Sequence, residues 1–200
     1  MHLSIPEELN TTFQPAPELT RFVFEVFLSE SSHLHNPEHQ HLENAEILYL
    51  WAGTSATMKG RMIAGQAEIP NFKGNAWQKK RQEEQLTQWN RGDFPDFVIT
   101  IDHDFFLSAD EISRMALIEH ELYHCAQATD QFGMPKFNNL TGKPTFTIRG
   151  HDVEEFTSVV RRYGTYSNDL KEMHNAMNAK PLIGQAQVTG LCGTCQREAA

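Results

Sequence analysis

Cysteine is scarce in this chain, with three residues among 200, an odd number. A disulfide framework is therefore not expected, and a reducing compartment is the default. Positive charge is also short. Seventeen Lys and Arg stand against 26 Asp and Glu, for a formal net charge of −9. Wide, unspecific nucleic-acid binding wants a basic stripe, so no direct nucleic-acid contact is expected, and an anionic membrane surface is equally disfavoured. No apolar run approaches the ~20 residues of a membrane span. The start, Met1-His2-Leu3-Ser4-Ile5-Pro6-Glu7-Glu8, has neither basic residues nor an apolar core, so a secretory signal is not expected. These absences leave a cytoplasmic protein. Its 40% hydrophobic content is enough for one domain with a sizeable core.

What is present is organised around His120-Glu121-Leu122-Tyr123-His124, which reads H-E-x-x-H. On a helix, residues four apart share a face one turn apart. Two imidazoles so placed can grip one metal ion, with Glu121 beside it. That pairing suits hydrolysis, because Zn²⁺ acidifies a water it binds and a neighbouring carboxylate takes the proton. A helix is signalled independently. Ser108 and Glu111 fit a capping box, Leu107 and Ile112 a hydrophobic staple, and no Gly or Pro interrupts the run from Ala109 to Gln131. The pattern predicts one helix capped at Ser108.

A catalytic zinc site needs three protein ligands and one open position. Downstream, Arg149-Gly150-His151-Asp152-Val153-Glu154-Glu155-Phe156 offers His151, Glu154 and Glu155. Val153, Phe156, Val160 and Tyr163 recur at helical spacing, so a second metal-site helix is predicted here, ending at Gly164. If that helix buries Val153, Phe156 and Val160, His151 projects from near the opposite side unless it lies at the N-cap.

Elsewhere, helices are predicted over Pro17 to Leu28, Trp77 to Trp89 and Ser167 to Ala179. Residues 31–44 hold four histidines, His33, His35, His39 and His41, and read as a solvated loop without regular ligand spacing. Ile47 to Trp51 and Arg61 to Ile69 read as strands that pair antiparallel. Phe97 to Asp102 alternates as a half-buried strand, suited to the cleft wall where an extended peptide adds. His103 and Asp104 are turn residues, or partners of the ligand imidazoles. Cys192-Gly193-Thr194-Cys195 is a lone C-x-x-C without a second ligand pair, so metal binding by it is the lesser reading. Three regions are expected: an N-terminal helix and His-rich loop in 1–45, a core in 46–165, and a C-terminal helix and C-x-x-C tail in 166–200.

The H-E-x-x-H segment Ile118 to Cys125, the upstream strand Phe97 to Ile101, and the later Gly150-His151-Asp152-Val153-Glu154-Glu155-Phe156 together resemble the phage metallopeptidase family, a relative of the SprT-like zincins. The resemblance covers roughly Ile47 to Gly164. It implies a compact zincin-like α+β fold, with a small, mostly antiparallel sheet packed against the H-E-x-x-H helix and the second metal-site helix. It implies a phage-borne, zinc-dependent peptidase acting on protein or peptide in the host cytoplasm. His151 resembles the third histidine of SprT-like sites, so the implied ligands are His120, His124 and His151, with Glu121 the general base. Glu154 or Glu155 remain alternatives to His151. A different class also stays open: a zinc-stabilised binding protein without catalysis.

Overall fold

Six strands pair into the sheet on which the site is built. The computed structural model describes residues 3–58 and 60–194. In chain order it contains β1 (Phe13–Pro15), α1 (Pro17–Val23), β2 (Ile47–Ala52), β3 (Thr57–Met58), β4 (Arg61–Glu68), α2 (Ala76–Trp89), β5 (Phe97–Asp102), α3 (His103–Ser108), α4 (Glu111–His124), β6 (Cys125–Gln127), β7 (Phe146–Ile148), α5 (Thr157–Tyr163), α6 (Asn168–Asn178) and β8 (Leu191–Cys192). The fold is α+β. The main sheet runs β1-β2-β5-β4-β3, with β8 also on β4, and β6 and β7 form a separate ribbon.

The expected pairing of β2 with β4 does not occur. β5 lies between them, parallel to β2 and antiparallel to β4. The composition of β5 explains this. Phe97, Val98, Ile99 and Ile101 are all buried, so the strand is apolar on both faces and belongs at the sheet centre. Both edges of β5 are thus paired, so no added peptide can join it, and the outer edge of β4 carries β3 and β8.

One face of the sheet carries the main core, where Leu19, Phe27, Trp51, Phe106, Ile118 and Leu122 meet. Leu19 and Phe27 come from the first helix, which continues from α1 as a wider π turn over Phe24–Leu28. On the other face Leu48, Leu50 and Val98 are covered by Leu86 and Trp89 of α2. Leu86 and Trp89 anchor this surface helix, and Trp77 stays exposed. No helix among the described residues is long and apolar enough to cross a membrane.

The histidine-rich stretch is not the solvated loop expected from its polarity. Pro37–Asn44 forms a 3₁₀ helix capped by the Asn36 side chain. His39 is 1% exposed, edge-on to the Tyr123 ring and 3.7 Å from Glu119. His41 Nε2 lies 2.7 Å from the Cys125 carbonyl. Asn36 donates to Glu119 (2.8 Å) and to the Tyr123 hydroxyl (2.9 Å). Two of these histidines therefore brace the H-E-x-x-H helix.

Tyr49 on β2 is buried, and its phenol is pushed well above its usual value, first by burial and then by the neighbouring Cys125. A raised folded-state value means the stabilisation is complete below the unfolded value, about 10, and is lost as pH rises beyond it. Thermal melts between pH 9 and 11 should show a falling Tm that Tyr49→Phe flattens. An unchanged slope in the variant would remove Tyr49 as the cause.

Candidate metal centre

α4 carries both histidines of the motif, and its two ends differ from expectation. Its N-cap is Asp110, whose carboxylate accepts from the Ser113 backbone N–H (3.0 Å) and from the Ser113 hydroxyl (2.7 Å). Ser108 instead closes α3, a short helix capped by Asp102. At the other end α4 stops at His124, not near Gln131. There the Arg149 backbone N–H donates to the His124 carbonyl (2.9 Å), and Cys125 enters the ribbon with Ile148. Ladder hydrogen bonds replace helical ones without any Gly or Pro.

His151 does not sit on a helix. α5 begins only at Thr157, after an irregular stretch over 149–156, and Phe156 is 77% exposed instead of buried. With no core face to obey, that stretch is free to turn His151 toward α4. Its ring Nε2 lies 3.1 Å from His120 Nε2, and His120 Nε2 lies 3.3 Å from His124 Nε2. His124 Nδ1 lies 2.6 Å from the Arg149 carbonyl, which can only accept. Nδ1 therefore holds the proton, and Nε2 presents its lone pair to the cluster. Glu154 is not part of this group. Glu155 is turned away, bonded to the Tyr166 hydroxyl and to the Phe156 backbone N–H. His103 is held elsewhere, its Nε2 2.7 Å from the Pro6 carbonyl, and Tyr163 is exposed.

A fourth donor joins the three rings. Cys192 Sγ lies 3.1 Å from His124 Nε2, and donor atoms of His120, His124, His151 and Cys192 all fall within 4.8 Å of one another. This is the sole such group of metal-binding side chains among the described residues. In the sequence this cysteine is half of an isolated C-x-x-C, for which metal binding is the lesser expectation; the other half, Cys195, lies outside the described residues. The available signal was the soft thiol between Gly190 and Gly193.

The cluster fits a cation. The His124 Nε2 lone pair, the Cys192 sulfur and the Nε2 atoms of His120 and His151 face one another in the manner of a donor set around one ion. A tetrahedral ion with metal–nitrogen bonds of 2.0–2.1 Å sets nitrogen–nitrogen edges of about 3.3–3.4 Å, close to the observed contacts. Burial pushes the Cys192 thiol up, but hydrogen bonds to His120, His124 and Thr194 outweigh it and bring it to about 4. Burial also pushes the His124 ring down, and there Cys192 and the Arg149 carbonyl outweigh it, raising the ring above its usual value.

Glu121 lies against this cluster and is 0% exposed. Gly65 on β4 makes room for it: a Cβ at that position would stand 2.8 Å from Glu121 Oε1 and 3.1 Å from Leu117 Cδ1. Oε1 has no hydrogen-bond partner, while Oε2 lies 3.2 Å from the Thr194 hydroxyl. Burial, and then the charge of Cys192, push the carboxyl up to about 8. On the solvent side, His120, His124 and His151 open into a cleft of about 410 Å³ walled by Tyr123, Arg149 and Met173.

A search of curated proteins found no match, and neither did a search of solved structures. The model of the family described as "Putative phage metallopeptidase" matches residues 20–178, beyond the resemblance on both sides and including the histidine-rich stretch. With that match over most of its length, the chain belongs to the phage metallopeptidase family.

Proposed function

We propose that the chain is a zinc-dependent peptidase in which His120, His124 and His151 hold the ion and Glu121 is the general base. The observation that carries this reading is the convergence of three ring nitrogens beside a buried carboxylate with one unpartnered oxygen. Three imidazoles and a thiol form a borderline-soft donor set, which suits zinc among the common divalent ions. When bound there, such an ion supplies Lewis acidity, making a water easier to deprotonate and a carbonyl easier to attack.

The remaining work falls to the side chains. Glu121 takes the proton of the attacking water and passes it to the leaving amine. Its raised pKa describes the site without a cation; a positive charge beside a carboxylate pulls the other way. The Arg149 carbonyl holds His124 in one tautomer and one orientation. Arg149 also pairs with Asp152, which steadies the stretch that bears His151. The cleft beyond the rings takes a segment of protein or peptide. The family description names phage, in line with a phage-encoded enzyme, and on this reading it works in the host cytoplasm.

One observation favours the second reading, a structural zinc site in a binding protein. Four protein donors leave no open position, as in structural sites. A structural site, however, has no use for a desolvated carboxylate pressed against it.

The two readings separate by metal dependence. The Cys192→Ala chain, which retains three imidazoles, should bind one zinc and cleave an unfolded protein substrate. A chelator should stop cleavage, and one equivalent of zinc should restore it. Zinc binding without cleavage in both the wild type and this variant would leave the structural reading.

A further inference from the structure

The stretch from Gly184 to Thr194 packs against α4 and β4 and fits its surroundings closely. The Gln187 backbone N–H donates to the Ser113 hydroxyl near the start of α4 (2.8 Å). Three glycines mark the nearest approaches. A Cβ at Gly184 would meet Ile112 Cδ1 at 2.6 Å, one at Gly190 would meet Ala64 Cβ at 2.4 Å, and one at Gly193 would meet Gln66 Oε1 at 2.9 Å. Between the last two, β8 pairs in parallel with β4, Leu191 beside Ile63 and Cys192 beside Gly65. The Gly193 backbone N–H donates to the Gly65 carbonyl (2.8 Å), and the Thr194 hydroxyl accepts from the Ala67 backbone N–H (2.7 Å).

Two places needed for peptide hydrolysis are thereby taken. The first is the outer edge of β4 beyond its pairing with β3, from Ile63 onward, whose backbone groups would otherwise pair with an incoming extended segment. The second is the space between the ring nitrogens and the base. Cys192 Sγ lies 3.1 Å from His124 Nε2 and 3.9 Å from Glu121 Oε2, on the ground that an attacking water needs. The Thr194 hydroxyl, 3.2 Å from Glu121 Oε2, touches the base as well.

We infer that residues 190–194 are a built-in inhibitor. Cys192 supplies a fourth metal ligand in place of water, and the backbone around it takes the substrate's place on β4. Given the metal peptidase proposed above, the chain with this segment docked is latent, and release of the segment opens the site. The attachment is a two-residue strand with backbone and hydroxyl hydrogen bonds from Gly193 to Gly65 and from Thr194 to Ala67 and Glu121, a contact small enough to open. Its tether gives it an effective concentration of roughly millimolar, enough to outcompete a dilute substrate.

Cobalt(II) loading tests the closure without relying on cleavage. The wild-type chain with one cobalt should show the near-ultraviolet band of thiolate-to-cobalt charge transfer. Cys192→Ala should bind cobalt without that band. Acetohydroxamate, a metal-directed probe, should bind the variant roughly tenfold or more tighter, because only undocked chains offer it an open position. Gly190→Val keeps the thiol and touches no proposed ligand, but its side chain collides with Ala64. It should weaken the band and gain a similar affinity, which keeps the test standing if Cys192→Ala fails to fold. A wild-type chain lacking the band, or equal acetohydroxamate binding by the wild type and the variants, overturns the inference. Variants that bind the probe tightly yet cleave no protein count against the peptidase, and for the closure.

Discussion

Glu121→Gln, placed in the Cys192→Ala chain, should lower peptide cleavage by roughly two to four orders of magnitude while one zinc stays bound. Glutamine has the shape of glutamate and fits the same enclosed space beneath Gly65, so the rings of His120 and His124 have no reason to move. What it lacks is a group that takes a proton at neutral pH. It also carries no charge to keep out of water, so the Tm should hold or rise. Zinc content from elemental analysis, initial rates on an unfolded substrate and a thermal melt give the three readings. A variant that cleaves at the parent rate removes Glu121 as the base. A variant that sheds its zinc moves Glu121 from proton transfer to support of the ligands.

The second large effect lies in the core. Trp51→Ala should cost about 3–5 kcal/mol, the range for deleting a large aromatic ring from a packed interior. Trp51 is 0% exposed and sits on β2, next to the central strand. Its ring is edge-on to Phe106 at 5.0 Å and to His103 at 5.8 Å, and its indole N–H donates to Glu18 at 2.5 Å. The substitution thus opens a cavity among α1, α3 and the sheet and takes away a donor from the Glu18 carboxylate. In a chain of this length the loss should lower Tm on the order of ten degrees. Trp51→Phe keeps most of the ring and loses only the N–H, so it should fall between the two. A Tm within two or three degrees of wild type for Trp51→Ala, about one kcal/mol, would mean that the core collapses around the gap.

How much could be read in advance depended on the range of the forces involved. The presence of α4 was legible because its apolar stripe and first-turn acids are local. Its ends were not. Ser108 looked like a cap, but Asp102 starts a separate short helix that uses Ser108 as its last residue. The stop at His124 comes from pairing with β7, a partner from a later part of the chain. The order of the sheet is hidden from local pattern for a similar reason. Phe97 to Ile101 alternates weakly enough to pass for a half-buried strand, and only its neighbours show that both faces are covered. His151 could be named from the pattern around it, although the helix imagined to carry it begins later. Cys192 stood among glycines with nothing nearby in sequence to explain it. Its companions, Gly65 and the rings of α4, meet it only in three dimensions. The buried His39 was hidden by the polarity of its surroundings, since nothing local announces a histidine that supports a helix from behind.

The ring of His151 hangs on a stretch with neither ladder nor helix beneath it. In the proposed ligand set, two of the three nitrogens are thus fixed by the scaffold, and the third is carried on a strap. On that reading, capture of an ion would do for the strap what a buckle does, coupling the order of residues 149–156 to the filling of the centre.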